Sequence, residues 1–224
     1  MRAKNEKNKS GRFAFLLFLV FLLLLGLAAC LVLLRLQSPA RAAVGSWRRE
    51  LDLTDDAVDL AERWLREAEL GYQIDADEYF PPLHVDVILT LRRDGSWERR
   101  LDEASYEAAQ NAACEGMAAA ARQLLRLRIA ATGRGGGPDE YLEQLLSDAL
   151  GMPTAEYFAA CGPQLLPEKE QLRAQHEGAG SWQLANGRLA LDDVGRAVDI
   201  LVGDRLLVLT GAEGTEVYAR DDAA

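Results

Sequence analysis

The residues that most often carry out catalysis are sparse in this sequence. It contains two histidines, His84 and His176, and three cysteines in 224 residues. His84 falls on the outward face of a strand pattern and His176 in a loop, so neither is placed beside a nucleophile that it could activate. Neighbouring carboxylates such as Asp192 and Asp193 point to opposite sides of an extended chain and make no acid–base pair. We therefore expect no enzymatic activity.

Two segments look like ligand sites but lack the residues that define them. Asp75, Asp77 and Glu78 offer carboxylates to a cation, without the glycine and the distant glutamate of an EF-hand loop. The glycine-rich stretch 133–137 precedes a predicted helix, but no strand precedes it and no Gly-Lys-Ser/Thr ending follows. We predict neither a metal nor a cofactor.

Two cysteines outside the most apolar segment leave two interpretations open. Cys114 lies in a predicted long helix and Cys161 at the end of a short one, so antiparallel packing of the helices would allow a disulfide. Such a bridge would close a loop of about 48 residues and stabilise the fold by roughly 3–4 kcal/mol. Alternatively, both are buried free thiols that pack as small apolar residues.

Charge argues against a nucleic-acid partner. The net charge is −10, yet residues 1–42 hold seven Lys/Arg and one acid, so the remaining chain is more acidic than the whole. An acidic body repels a phosphate backbone. Four arginines surround one predicted hairpin: Arg92, Arg93, Arg99 and Arg100. We expect them to form cross-strand ion pairs with acids such as Asp86 and Glu98, or else to contact an anionic partner or headgroup.

The segment Phe13–Leu34 predicts a single membrane-spanning helix. It has 22 residues without a charge, which at 1.5 Å per residue span about 33 Å. Five basic residues precede it in the tail 1–12, so the positive-inside rule places the N-terminus in the cytoplasm. A linker over 35–43 then leads to an extracytoplasmic domain over 44–224.

Two processing events are alternatives to a retained signal-anchor. Leu27-Ala28-Ala29-Cys30 resembles a bacterial lipobox, in which Cys30 would be lipidated and would become the new N-terminus. Cleavage after Ala42 would follow a small-x-small site. The apolar run is longer than a usual signal-peptide core, which favours retention. Each alternative leaves the same domain outside the cytoplasm.

Alternating apolar residues and turn signals predict eight short strands in an antiparallel meander. Asp94-Gly95 and Asn186-Gly187 are typical of two-residue hairpin turns. The predicted strands cover 45–53, 83–93, 96–102, 179–185, 188–192, 197–202, 205–210 and 215–220.

Helical patterns fill the two long intervals between these strands. Apolar spacing predicts a helix from Thr54 to Gly71. A helical insertion over about 103–176 follows the third strand, with predicted helices at 103–131, 138–150, 154–161 and 167–176. The fold class is therefore α+β.

A recurring tripeptide suggests a family. Gly-Ser-Trp occurs at 45–47, 95–97 and 180–182, each time at the start of a strand pattern. A Gly-x-Trp on the first strand of an eight-stranded meander resembles the lipocalin and wider calycin group. The segment 180–220 also resembles the C-terminal half of small lipocalin-like barrel domains of membrane-anchored bacterial envelope proteins. The helical insertions are a departure from a plain lipocalin.

The resemblance implies a closed barrel with a binding role. In that group, the tryptophan closes the barrel base and packs under an arginine from its end, which here implies Trp47 and Arg220. We expect a small apolar ligand or an envelope protein as the partner. Trp64, Trp97 and Trp182 are the aromatic residues that we expect to line a ligand site. The alternative is an envelope hydrolase or thiol-redox enzyme that uses Cys161 or an acidic pair.

Overall fold

The structure is a computed structural model that describes most of the chain. The described residues are 20, 21, 23–27, 39–67, 74–133, 135, 137–162, 164–192, 197–212 and 214–221. Among them, residues 39, 67, 161 and 197 are described by their backbone alone.

Eight antiparallel strands form a closed barrel in which strands adjacent in sequence are paired. They are β1 (Gly45–Asp52), β2 (His84–Leu91), β3 (Ser96–Leu101), β4 (Gly178–Ala185), β5 (Arg188–Leu191), β6 (Ala197–Val202), β7 (Leu206–Gly211) and β8 (Gly214–Arg220). β1 closes on β8 through the pairs Trp47–Arg220 and Arg48–Ala219. The predicted fold class, α+β with an eight-stranded antiparallel barrel, is confirmed, and every predicted strand agrees with the observed one to within two residues at each end.

The alternation of side chains explains why these segments become barrel strands. On β1, Trp47 and Leu51 are buried while Glu50 is exposed. The pairing carries this alternation round the barrel, because Trp47 lies opposite Leu89 on β2 and Leu89 lies opposite Arg99 on β3. Side chains that share this parity point into the barrel.

The two ends of the barrel differ in what they carry. The end where the chain enters at Gly45, here called the base, carries the tight turns at 92–95, 186–187 and 203–205. The opposite end, the mouth, carries the long connections 53–83 and 102–177. All of the longer helices are therefore attached to the mouth.

Apart from the helical residues at 20, 21 and 23–27, the described part of the chain contains six helices and one 3-10 turn. They are α1 (Pro39–Ala43), α2 (Thr54–Glu67), the 3-10 turn (Ala76–Tyr79), α3 (Glu103–Ala131), α4 (Asp139–Leu150), α5 (Thr154–Cys161) and α6 (Lys169–His176). The predicted bounds of α3 and α5 are confirmed. The C-terminal part of the first predicted helix, 68–71, lies outside the described residues.

Two short elements differ from the prediction. The segment 35–43 was expected to be a linker, but its residues 39–43 form α1, whose last residue Ala43 is fully buried against the base. The 3-10 turn was not predicted; Asp75 caps it by accepting a hydrogen bond from the Asp77 backbone N–H at 3.3 Å. Both elements are too short to produce a helical periodicity in the sequence.

The apolar residues form two separate cores. The base core fills the lower barrel and includes Trp47, Trp97, Trp182, Leu207 and Tyr218. The helical core packs the mouth-side halves of β1, β2 and β3 against α2, α3, α5 and α6. Its members include Leu51, Val85, Val87, Leu101, Met117, Phe158 and Leu172. The insertion thus covers one side of the mouth and leaves the side of β5–β8 uncovered.

Most of the predicted membrane segment lies outside the described residues. Of 13–34, only residues 20, 21 and 23–27 are described, and their backbone is helical. Their large apolar side chains are 48–69% exposed. Among the described residues, no helix has the length and apolarity needed to cross a bilayer. The basic tail 1–12 and Cys30 also lie outside the described residues.

Candidate functional site at the barrel mouth

The base of the barrel is sealed by Trp47 and Arg220. Trp47 is fully buried, and its Nε1 donates a hydrogen bond to the Ala43 carbonyl at 2.8 Å. The Arg220 guanidinium lies 4.7 Å from the centre of the Trp47 ring. It also donates to the carbonyls of Ala42 and Val44, at 3.1 and 3.2 Å. This is the arrangement that the lipocalin resemblance implies, and it ties α1 across the base.

The other three tryptophans are surrounded by packed side chains and not by empty space. Trp97 is 1% exposed and Trp182 8% exposed, both in the base core. Trp182 donates from Nε1 to the Arg92 carbonyl at 3.0 Å. Trp64 packs against the helical core, with an edge-to-face contact to Phe158 at 5.8 Å between ring centres. The three predicted lining residues therefore do not share one wall.

A cavity of about 850 Å³ opens at the mouth, on the side that the helices leave uncovered. Its apolar wall consists of Leu191, Val198 and Leu209 from β5, β6 and β7. At its rim, Gly211 pairs with Gly214, and a Cβ atom on Gly211 would lie 3.2 Å from a Val198 methyl. Small residues here keep the mouth wide. The volume is in the range of sites for small molecules.

The other wall of the cavity is charged. It is formed by five residues that we call the arginine–glutamate cluster: Arg49, Arg99, His176, Glu216 and Tyr218. The first four line the cavity, and Tyr218 lies fully buried beneath them. Arg49, Arg99 and Glu216 occupy inward strand positions, where the barrel otherwise holds mostly apolar side chains. A charged group at such a position needs a partner, because desolvation penalises an unpaired charge.

Glu216 is the centre of this cluster. Its Oε1 forms an ion pair with Arg49 Nη1, and its Oε2 accepts a hydrogen bond from the Tyr218 hydroxyl at 3.0 Å. Arg99 Nη1 lies 3.9 Å from the same Oε2, which is too long for a hydrogen bond. Arg99 instead donates from Nε to the His176 carbonyl. The carboxylate thus sits between two guanidinium groups that reach it from β1 and β3.

The electrostatics of the cluster leave an excess of positive charge. Burial, together with Arg49 and Arg99, lowers the pKa of His176, which keeps that imidazole neutral. Burial and the nearby Glu216 carboxylate raise the pKa of Tyr218, so its hydroxyl remains a donor. Two guanidinium groups then face one carboxylate. The cavity wall is cationic in a chain whose net charge is −10.

The remaining candidates for chemistry lie apart from this cavity. Cys114 is buried in α3 with a free thiol, and burial raises the pKa of that thiol, so it is a weak nucleophile near neutral pH. The side chain of Cys161 is outside the described part, so the disulfide stays a prediction. His84 is exposed on the outer face of β2. Within the described ranges, no three His, Cys, Asp or Glu side chains are grouped to hold a metal ion.

Sequence reasoning missed Arg49 and Glu216 and assigned Arg99 to a surface cluster. Of the hairpin arginines, Arg92 does form the expected ion pair with Glu98, whereas Arg99 turns inward. A signal was present: Arg49 and Arg99 each stand two residues after an inward-facing tryptophan. Following that parity along the strand would have placed both arginines inside the barrel.

The fold and the site together define a class of protein. It is a closed antiparallel barrel with a sealed base, a helical cover on part of its mouth and a cationic cavity beside that cover. Neither a family model, a curated protein nor a solved structure matches the chain.

Proposed function

We propose that this protein is a binding module that holds a small molecule in the cavity at the barrel mouth. The observation that carries the proposal is the cavity of about 850 Å³, which has an apolar wall on one side and paired arginines on the other. Binding sites for small molecules combine such apolar surface with a few placed polar groups. The sealed base supports this function, because a rigid lower barrel holds the mouth strands in position.

We also propose that the module is anchored to the cell membrane with its domain on the extracytoplasmic side. The uncharged stretch Phe13–Leu34 and the basic tail before it support this proposal. The large apolar side chains among residues 20, 21 and 23–27 also support it, since they are 48–69% exposed. The chain enters the barrel through α1 at the base, so the mouth is the end farther from the tether.

A pair of tryptophan substitutions on β6 tests the binding proposal. Val198→Trp fills the cavity from its apolar wall, whereas Leu201→Trp adds the same ring to the outer face, where Leu201 is 68% exposed. We expect members of a panel of small apolar and amphiphilic molecules to raise the melting temperature of the wild type and of L201W. They should not raise that of V198W.

Two results of this experiment would contradict the proposal. Equal stabilisation of V198W and the wild type would place the ligand elsewhere. A panel that stabilises none of the three proteins would argue against a small-molecule function.

A fractionation experiment tests the membrane anchor. We expect the full chain to stay in the membrane pellet after an alkaline wash and to keep its full mass. A mass that lacks residues 1–29 and gains a diacyl group would instead show lipidation at Cys30.

A further inference from the structure

The charged wall of the mouth cavity already holds an anion, and that anion belongs to the protein. The Glu216 carboxylate lies between Arg49 and Arg99 and accepts a hydrogen bond from Tyr218. Two guanidinium groups and a phenol hydroxyl are the donors that bind carboxylates in proteins. The three donors together therefore form a carboxylate site, and Glu216 is its resident occupant.

Glu216 does not engage both arginines equally. Arg49 is engaged directly, but Arg99 Nη1 stays 3.9 Å from Glu216 Oε2, and the Arg99 guanidinium also interacts with the Tyr218 hydroxyl. The Arg99 side chain is 17% exposed. A mostly buried guanidinium that makes only a long contact to its carboxylate, at the wall of a cavity, favours a closer carboxylate from a ligand.

Glu216 is also placed so that it can leave. It is on β8, two residues after Gly214 at the rim of the mouth, and its side chain is 31% exposed. Near this point β8 and β1 are joined by only two residue pairs, both toward the base. A rotation of the Glu216 side chain toward solvent would free Arg49 without breaking a strand pairing.

We propose that the mouth cavity binds an amphiphilic carboxylate and that the ligand's carboxylate replaces Glu216 between Arg49 and Arg99. This inference rests on the proposed function. The apolar body of the ligand lies against Leu191, Val198 and Leu209, which line the same cavity as the cluster. One carboxylate takes the place of another, so the charge of the cluster is unchanged by the exchange. Glu216 is therefore an internal competitor that sets the affinity.

The test uses octanoate and its uncharged counterpart octanamide as probes. Each is titrated calorimetrically into the full chain in phosphatidylcholine nanodiscs, with empty nanodiscs subtracted. We expect the wild type to bind octanoate at least about tenfold more tightly than octanamide. Glu216→Gln removes the competitor while keeping the shape, so octanoate should bind about tenfold more tightly still. The affinity for octanamide should not increase.

A matched pair of arginine variants on β3 provides the control. Arg99→Gln should weaken octanoate binding by roughly 10–100-fold, because it removes a charge-assisted contact. Arg100→Gln makes the same change of charge on the exposed outer face and should leave binding unchanged. Tryptophan fluorescence shows whether each variant is folded, and the comparison of the two probes on the wild type needs no variant.

The outcomes separate this inference from the proposed function. If octanamide binds the wild type as tightly as octanoate, the carboxylate inference is overturned and small-molecule binding stands. Weaker octanoate binding by E216Q would also overturn the exchange, since it would make Glu216 a contributor and not a competitor. Octanoate binding seen only with E216Q would support it. If neither probe binds either protein, both proposals fail for this class of ligand.

Discussion

Replacing Arg220 with methionine should destabilise the domain by about 3 kcal/mol. The guanidinium lies 4.7 Å from the Trp47 ring centre, a contact worth roughly 0.5–2 kcal/mol. It also donates to two carbonyls at 3.1 and 3.2 Å. Charge-assisted hydrogen bonds contribute about 1.5–3 kcal/mol each, but these are exposed and share one nitrogen, so the lower end applies. Methionine keeps apolar contact with the ring and removes only the charge and the donors.

Tryptophan fluorescence during urea unfolding measures this change. All four tryptophans lie between residues 47 and 182, so the signal reports on the barrel and its helices. The control is Arg205→Met, which removes an exposed arginine from a turn at the same end and should change the unfolding free energy by less than about 0.5 kcal/mol. An Arg220→Met effect no larger than that of the control would refute the role of Arg220 in sealing the base.

Three further predictions follow from single residues. Because the pKa of His176 is lowered in the fold, the unfolded chain takes up its proton first, so stability should fall as the pH drops below about 6.5. His176→Gln should reduce this slope in urea titrations, and an unchanged slope would contradict the prediction. Gly116→Ala should destabilise by about 1–3 kcal/mol despite a gain of about 1 kcal/mol in helix propensity, because its Cβ would lie 3.0 Å from the Tyr79 carbonyl oxygen and 3.1 Å from the Phe80 ring. Calorimetric melting shows the sign. Cys114 should resist alkylation in the native protein and react in urea, as peptide mapping will show; equal labelling in both conditions would contradict its burial.

The strand order was predictable because its signals are local. Alternating residues and Asn-Gly or Asp-Gly turns act over a few positions, and each strand then pairs with the next. Gly45 shows the same local logic: its φ of +147° favours glycine, and a Cβ there would approach the Arg220 guanidinium at 3.4 Å. The geometry of the base therefore explains why glycine stands at position 45 and tryptophan at position 47.

The cavity was not predictable because it is the space that the inward side chains of the barrel do not fill. The sequence predicted Trp97 and Trp182 as ligand-lining residues, since inward aromatic side chains look the same in a filled layer and in a hollow one. The structure places both in the filled base core. Arg49 and Glu216 are remote in sequence and meet only because β1 closes on β8. That closure is a long-range event that no local pattern encodes.

Methyl NMR of the full chain, labelled at valine and leucine, tests the central claim most directly. On addition of octanoate, we expect the methyl signals of Val198 and Leu209 on the cavity wall to shift. Those of Leu207 in the base core and Leu201 on the outer face should stay in place. Shifts confined to Leu207 or Leu201, with the cavity-wall methyls unmoved, would contradict a ligand site at the barrel mouth.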